Sequence, residues 1–298
     1  MTDPWRGTFT ALVTPFTSGG GVDRVALERL VELQIQGGVE GLLPCGTTGE
    51  AATLTNEEHL GVIEDVLLCA DGRVTVLAGV GGNDTRNVIE LGTRAAAAGV
   101  DGILAVAPYY NKPTQAGMLA HFSTIADAVE APLILYNVPG RTSSNIEAST
   151  VLQLAEHPNI AGIKEASGSL GQVMAILARR PDGFSVLSGE DDLTLAVICL
   201  GGDGVVSVVS NEVPGPMSAM VRDALAGDLE AARGEHYRLL ALMGANFIET
   251  NPIPAKAALA MMGHIEESYR LPLVPMAPDN RARLATVLAE LGLIDAAD

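Results

Sequence analysis

Eight short apolar runs, separated by stretches of helical period, constrain this chain more than any other feature. The runs cover residues 9–13, 39–45, 74–80, 102–107, 133–138, 160–164, 184–188 and 205–209, and most are followed by a cluster of Gly, Pro, Ser or Thr. They are continuous rather than alternating, which is the pattern of strands in a parallel sheet covered on both faces. Between them, residues 23–36, 56–69, 169–180 and 191–200 read as helices. Eight such units in succession favour an α/β fold closed into a (β/α)8 TIM barrel over an open doubly wound sheet. The nearest approach to a dinucleotide-binding fingerprint, GVGG at 79–82, runs into Asn83-Asp84-Thr85 and lacks the required glycine spacing.

After Val209 the pattern changes. Pro214 and Pro216 mark a break, and the remainder reads as helices at 217–226, 229–248, 254–262 and 279–291. The expected organisation is a catalytic barrel over 1–226 with a C-terminal helical extension over 227–298, joined without a low-complexity linker.

Composition removes several function classes. With 48% hydrophobic residues the chain is not disordered. No apolar run approaches the ~20 residues of a membrane helix. Eighteen basic against 36 acidic residues leave a net charge of −18, which repels nucleic acid and anionic membranes. The opening MTDPWRGTF has no basic stretch before an apolar core, so a cytoplasmic protein is expected. Cys45, Cys69 and Cys199 form no CxxC, and the five histidines show no ligand spacing, so neither a disulfide framework nor a metal site is expected.

In a barrel of this kind the chemistry gathers at the C-terminal ends of the strands. Lys164 ends the sixth run and is one of only three lysines, with Lys112 and Lys256. Strand alternation gives it one face with Gly162 and Ile160. If that face is the interior, loss of water lowers the lysine's pKa and frees an amine to attack a carbonyl. A salt bridge to a neighbouring acid is the plainer alternative. Tyr136 ends the fifth run and is either a core tyrosine or a proton carrier beside that amine. The GTTGE loop at 46–50 offers backbone N–H groups to a carboxylate, or is simply a tight turn. Arg141, in a polar loop beyond Tyr136, either clamps a carboxylate or is solvated. Together these groups describe a site for an oxo-acid.

The residues also carry a resemblance. GTFTALVTPF (7–16), GTTGE (46–50), APYYNKP (107–113), LYNVPGRT (135–142), GIKEASG (162–168), LSGEDD (187–192) and NPIPAK (251–256) resemble the dihydrodipicolinate synthase / N-acetylneuraminate lyase superfamily of Schiff-base aldolases over nearly the whole length. GIKE with the preceding tyrosine motif is specific for the superfamily, and the arginine after NVP points to its synthase branch. The resemblance implies that Lys164 forms an imine with pyruvate and that Thr47 and Thr48 bind the pyruvate carboxylate. It implies a proton relay of Tyr136, Thr48 and Tyr110, with Tyr110 supplied by a neighbouring subunit of a dimer or tetramer. Arg141 would hold the carboxylate of L-aspartate 4-semialdehyde, and Gly189 and Val206 would line the pocket. Ser143 stands where synthases usually carry glycine. No metal or organic cofactor is implied. Another pyruvate aldolase, for a 2-keto-3-deoxy sugar acid or sialic acid, is the alternative within the class. A barrel without catalysis, acting as a binding module, is the alternative outside it.

Overall fold

The computed structural model describes residues 5–295. Eight parallel strands close into a barrel in sequence order: β1 (Gly7–Ala11), β2 (Gly41–Leu43), β3 (Thr75–Gly79), β4 (Gly102–Val106), β5 (Leu133–Asn137), β6 (Ile160–Glu165), β7 (Ser185–Ser188) and β8 (Gly204–Ser207). Each lies within or across one of the eight apolar runs. β8 returns to β1 with Val206 opposite Phe9.

Helices α1 (Arg24–Gln36), α2 (Asn56–Ala70), α3 (Thr85–Ala98), α4 (Gln115–Ala128), α5 (Pro139–Thr142), α6 (Ala148–Leu154), α7 (Leu170–Leu177), α8 (Thr194–Cys199) and α9 (Pro214–Ala226) alternate with the strands. Then follow α10 (Leu229–Ala245), α11 (Ile253–Met261) and α12 (Pro278–Glu290). Local chemistry sets several of the starts. Asp23 caps α1 by accepting from the Ala26 N–H. Thr55 and Glu58 form a reciprocal capping box on α2, a device that typically stabilises a helix by about 1 kcal/mol.

Two expectations from the sequence need correction here. Pro214 does not break the chain; it sits in the first turn of α9, where its missing N–H has no partner to lose. The helix expected over 191–200 begins as a 3-10 turn, Asp191–Leu193, before α8. Asp191 is drawn aside because its Oδ2 accepts the backbone N–H groups of Val208 and Val209, both at 3.0 Å.

The core has layers. Phe9, Leu43, Leu77, Leu104, Ile134, Leu187 and Val206 fill the barrel interior, with Trp5 against Phe9. Gly102 makes room for that indole: a Cβ there would lie 2.4 Å from the Trp5 ring. A second layer packs strands against helices. A third joins Met217, Met220 and Val221 of α9 to Leu239 and Leu242 of α10 and Leu284 and Leu288 of α12. The C-terminal helices are thus fixed to the barrel through α9. Among the described residues no helix is long and apolar enough to cross a membrane.

Candidate active site

Lys164 points into the barrel, but simple alternation does not explain why. Leu133 pairs with Ile160 and Ile134 with Gly162, so Ala161 is left without a partner on β5. This bulge turns Ile160 to the outer layer and Ala161 toward the interior. Beyond it the register is regular, and Lys164 lies directly opposite Tyr136. Alternation would give Ile160 the face of Lys164; the bulge overturns that placement while leaving Gly162 and Lys164 inside.

Lys164 is only 5% exposed, and its Nζ lies 4.3 Å from the centre of the Tyr136 ring. Burial lowers its pKa to about 7; the Arg141 charge acts in the same direction, and the buried Asp191 carboxylate opposes it. Gly189 is required by this arrangement, since a Cβ there would meet Ala166 at 2.5 Å and the Lys164 stem at 3.1 Å. Val206, fully buried, belongs to the same interior cluster as Tyr136.

Burial raises the Tyr136 pKa, so the phenol keeps its proton at neutral pH; Arg141 and a hydrogen bond with the Thr47 side chain work against that rise, and Glu190 adds to it. The two threonines therefore divide. Thr47 meets the phenol, whereas the buried Thr48 hydroxyl accepts from Asn251 Nδ2 at 2.9 Å. The side chain that acts on the phenol's pKa is that of Thr47, where the resemblance pairs Tyr136 with Thr48. Around them, Gly49 N–H donates to Gly46 O and Glu50 N–H to Thr47 O, both at 3.1 Å. Among the described residues the N–H groups of Thr47 and Thr48 have no acceptor.

Arg141 sits on the one-turn helix α5 rather than in a loop, with Pro139 in the first turn. Its Nη2 donates to the Asn251 carbonyl at 3.3 Å. Ser143 ends that turn at φ 55°, a left-handed conformation that suits glycine. The backbone shape is kept without the glycine. Ser143→Gly is expected to raise unfolding free energy by about 1 kcal/mol. Urea titration measures this; a destabilised variant would show that the serine makes an interaction outweighing its strain.

Tyr110 is not brought to the Lys164 of its own chain. It stands 90% exposed at φ 70°, and its hydroxyl has no partner among the described residues. Four residues with bearing on the site were not singled out as site residues by the sequence. Asp191 is the buried charge facing Lys164, and its place after the seventh strand was the available signal. Asn251, Glu50 and Lys256 lie inside quoted motifs, but only the fold shows what they touch.

A family model for the dihydrodipicolinate synthetase family matches residues 4–291. The chain belongs to this family. The 4-hydroxy-tetrahydrodipicolinate synthase of Koribacter versatilis (strain Ellin345) is 54% identical over 290 residues, 97% of each chain. That of Salinibacter ruber is 51% identical, covering 98% of this chain and 97% of its own. Among solved structures, the chloride-inhibited dihydrodipicolinate synthase from Acinetobacter baumannii complexed with pyruvate superposes with a TM-score of 0.95 at 44% identity, covering 97% of this chain and 99% of that one. Membership of the dihydrodipicolinate synthetase family accords with the closed barrel, the C-terminal helices and the lysine at the end of β6.

Proposed function

We propose that this chain is a lyase that condenses pyruvate with L-aspartate 4-semialdehyde to give 4-hydroxy-tetrahydrodipicolinate, on the route to diaminopimelate and lysine. The observation that carries the proposal is Lys164: a buried amine with a pKa near 7, set against a protonated phenol at the open end of the barrel. The names of the relatives and the pyruvate bound to the Acinetobacter structure support it.

In this reading the neutral Lys164 amine attacks the keto carbon of pyruvate, and water leaves to give a protonated imine. That cation draws electrons from the methyl group, which loses a proton and becomes an enamine. The enamine carbon attacks the aldehyde. The amine of the second substrate then displaces Lys164, closing the ring and returning the enzyme. Tyr136, backed by Thr47, moves protons during imine formation and release. The free N–H groups of Thr47 and Thr48 receive the pyruvate carboxylate, next to Gly189 and Val206. Tyr110 completes the relay from a partner subunit, so the working unit is at least a dimer; its exposure and unpartnered hydroxyl support this. The division after Ala226 is likewise proposed, supported by α9 lying against β1 and α10 beginning at Leu229. A cytoplasmic location is supported by three free cysteines, which a reducing compartment maintains.

Arg141 distinguishes this reaction from the other pyruvate aldolases, because it offers a second carboxylate site. Replacing it with alanine removes a charge-assisted contact of about 1.5–3 kcal/mol. Arg141→Ala should therefore lower kcat/KM for the semialdehyde roughly ten- to a hundred-fold while borohydride still traps pyruvate on Lys164. Unchanged kinetics with the semialdehyde, or a better rate with a sugar-derived aldehyde, would favour the other aldolase reading.

A further inference from the structure

The C-terminal extension reaches back to the 46–50 loop through a buried charge. Lys256 of α11 is fully buried, and its Nζ lies 2.5 Å from Glu50 Oε1, 206 positions earlier in the chain. The ammonium also sits 4.3 Å from the centre of the Phe16 ring and 5.3 Å from that of Tyr269. Glu50 closes the 46–50 loop and does so at φ 53°. Five residues before Lys256, Asn251 Nδ2 donates to the Thr48 hydroxyl in the same loop.

These contacts do more than hold two parts together. A buried ion pair is a poor source of stability, because apolar residues of the same volume commonly serve as well or better. Its strength is geometric. The Glu50 carboxylate is fixed between Lys256 and the Arg270 N–H, at 3.4 Å, and that anchors a left-handed residue that sterics disfavour. With Glu50 fixed, the loop keeps the turn that leaves the Thr47 and Thr48 N–H groups free. Asn251 sets the other variable. Because the Thr48 oxygen accepts from the amide, its own hydrogen is directed elsewhere, available to an anion.

We infer that Lys256 and Asn251 are positioning residues: from the helical extension they hold the 46–50 loop in the shape that receives the keto acid's carboxylate. The inference rests on the proposed reaction. It assigns to an element outside the barrel the affinity for the first substrate.

The test uses full-length Lys256→Met/Glu50→Gln, which neutralises both members of the pair, and Asn251→Ser. Rates are measured with each substrate varied in turn, alongside thermal unfolding and borohydride trapping of pyruvate. In the folded double variant the KM for pyruvate should rise at least about ten-fold, while the KM for the semialdehyde stays within about three-fold. Asn251→Ser should show the same split to a smaller degree. A purely structural pair would lower the unfolding temperature without this selectivity. An unchanged pyruvate KM, or equal rises for both substrates, overturns the inference; if the double variant does not fold, Asn251→Ser decides on the same criterion. Wild-type protein that fails to trap pyruvate would instead remove the proposed reaction itself.

Discussion

Lys164→Met should abolish the reaction, with a loss of at least about 10⁴-fold in kcat, because the covalent intermediate has no other site. Wild-type protein treated with pyruvate and borohydride should gain one pyruvyl unit on the peptide carrying Lys164. The other lysines are internal controls: Lys256 is fully buried against Glu50, and Lys112 lies in the exposed turn after Tyr110. Labelling at either, or none, rejects the mechanism. Since the amine loses its proton near pH 7, trapping should accelerate as pH rises through that value and then level off. The same shift predicts an effect on stability. The folded-state pKa of about 7 lies below the ordinary lysine value of 10.5. Below pH 7 the fold therefore bears the whole cost of burying an ammonium, on the order of a few kcal/mol, and that cost fades as pH rises toward 10.5. Lys164→Met should thus be more stable than wild type at pH 6, and the gain should shrink at pH 9.

How much of this could be seen in the residues depended on the range of the interaction. The strands were legible because a parallel strand is buried on both faces and leaves a continuous apolar run, and Lys164 was legible because it interrupts one such run at its end. The bulge at Ala161 was not: it arises from how β6 settles against β5, and no residue there announces it. The division of labour between Thr47 and Thr48 was also hidden. Two adjacent hydroxyls look alike in sequence, and only the turn decides that one meets Tyr136 and the other Asn251. Lys256 and Glu50 lie 206 positions apart, and neither motif contains a sign of the other. Tyr110 marks a different boundary, because its proposed partner is on another chain.

Tyr136→Phe carries the second-largest expected effect and separates proton transfer from packing. The phenyl ring keeps the volume of the interior cluster and the contact with the Lys164 amine, so the fold should be unaffected. What is lost is a hydroxyl kept protonated by burial and hydrogen-bonded with Thr47. General acid–base groups typically contribute 10²–10⁴-fold, and kcat should fall by roughly 10²- to 10³-fold, with slowed trapping of pyruvate. Thr47→Val should also lower kcat, because it removes the phenol's partner, and adding it to Tyr136→Phe should cost little more, since the two hydroxyls act as a unit. Thr48→Val should behave differently. Its hydroxyl faces the carboxylate site, so the change belongs in the KM for pyruvate, with kcat held within about three-fold. Rapid-quench measurement of imine formation in the three single variants resolves the assignment. A Tyr136→Phe enzyme with near-normal turnover would show that water, not the phenol, carries the proton, and a kcat loss in Thr48→Val larger than in Thr47→Val would return the relay to Thr48.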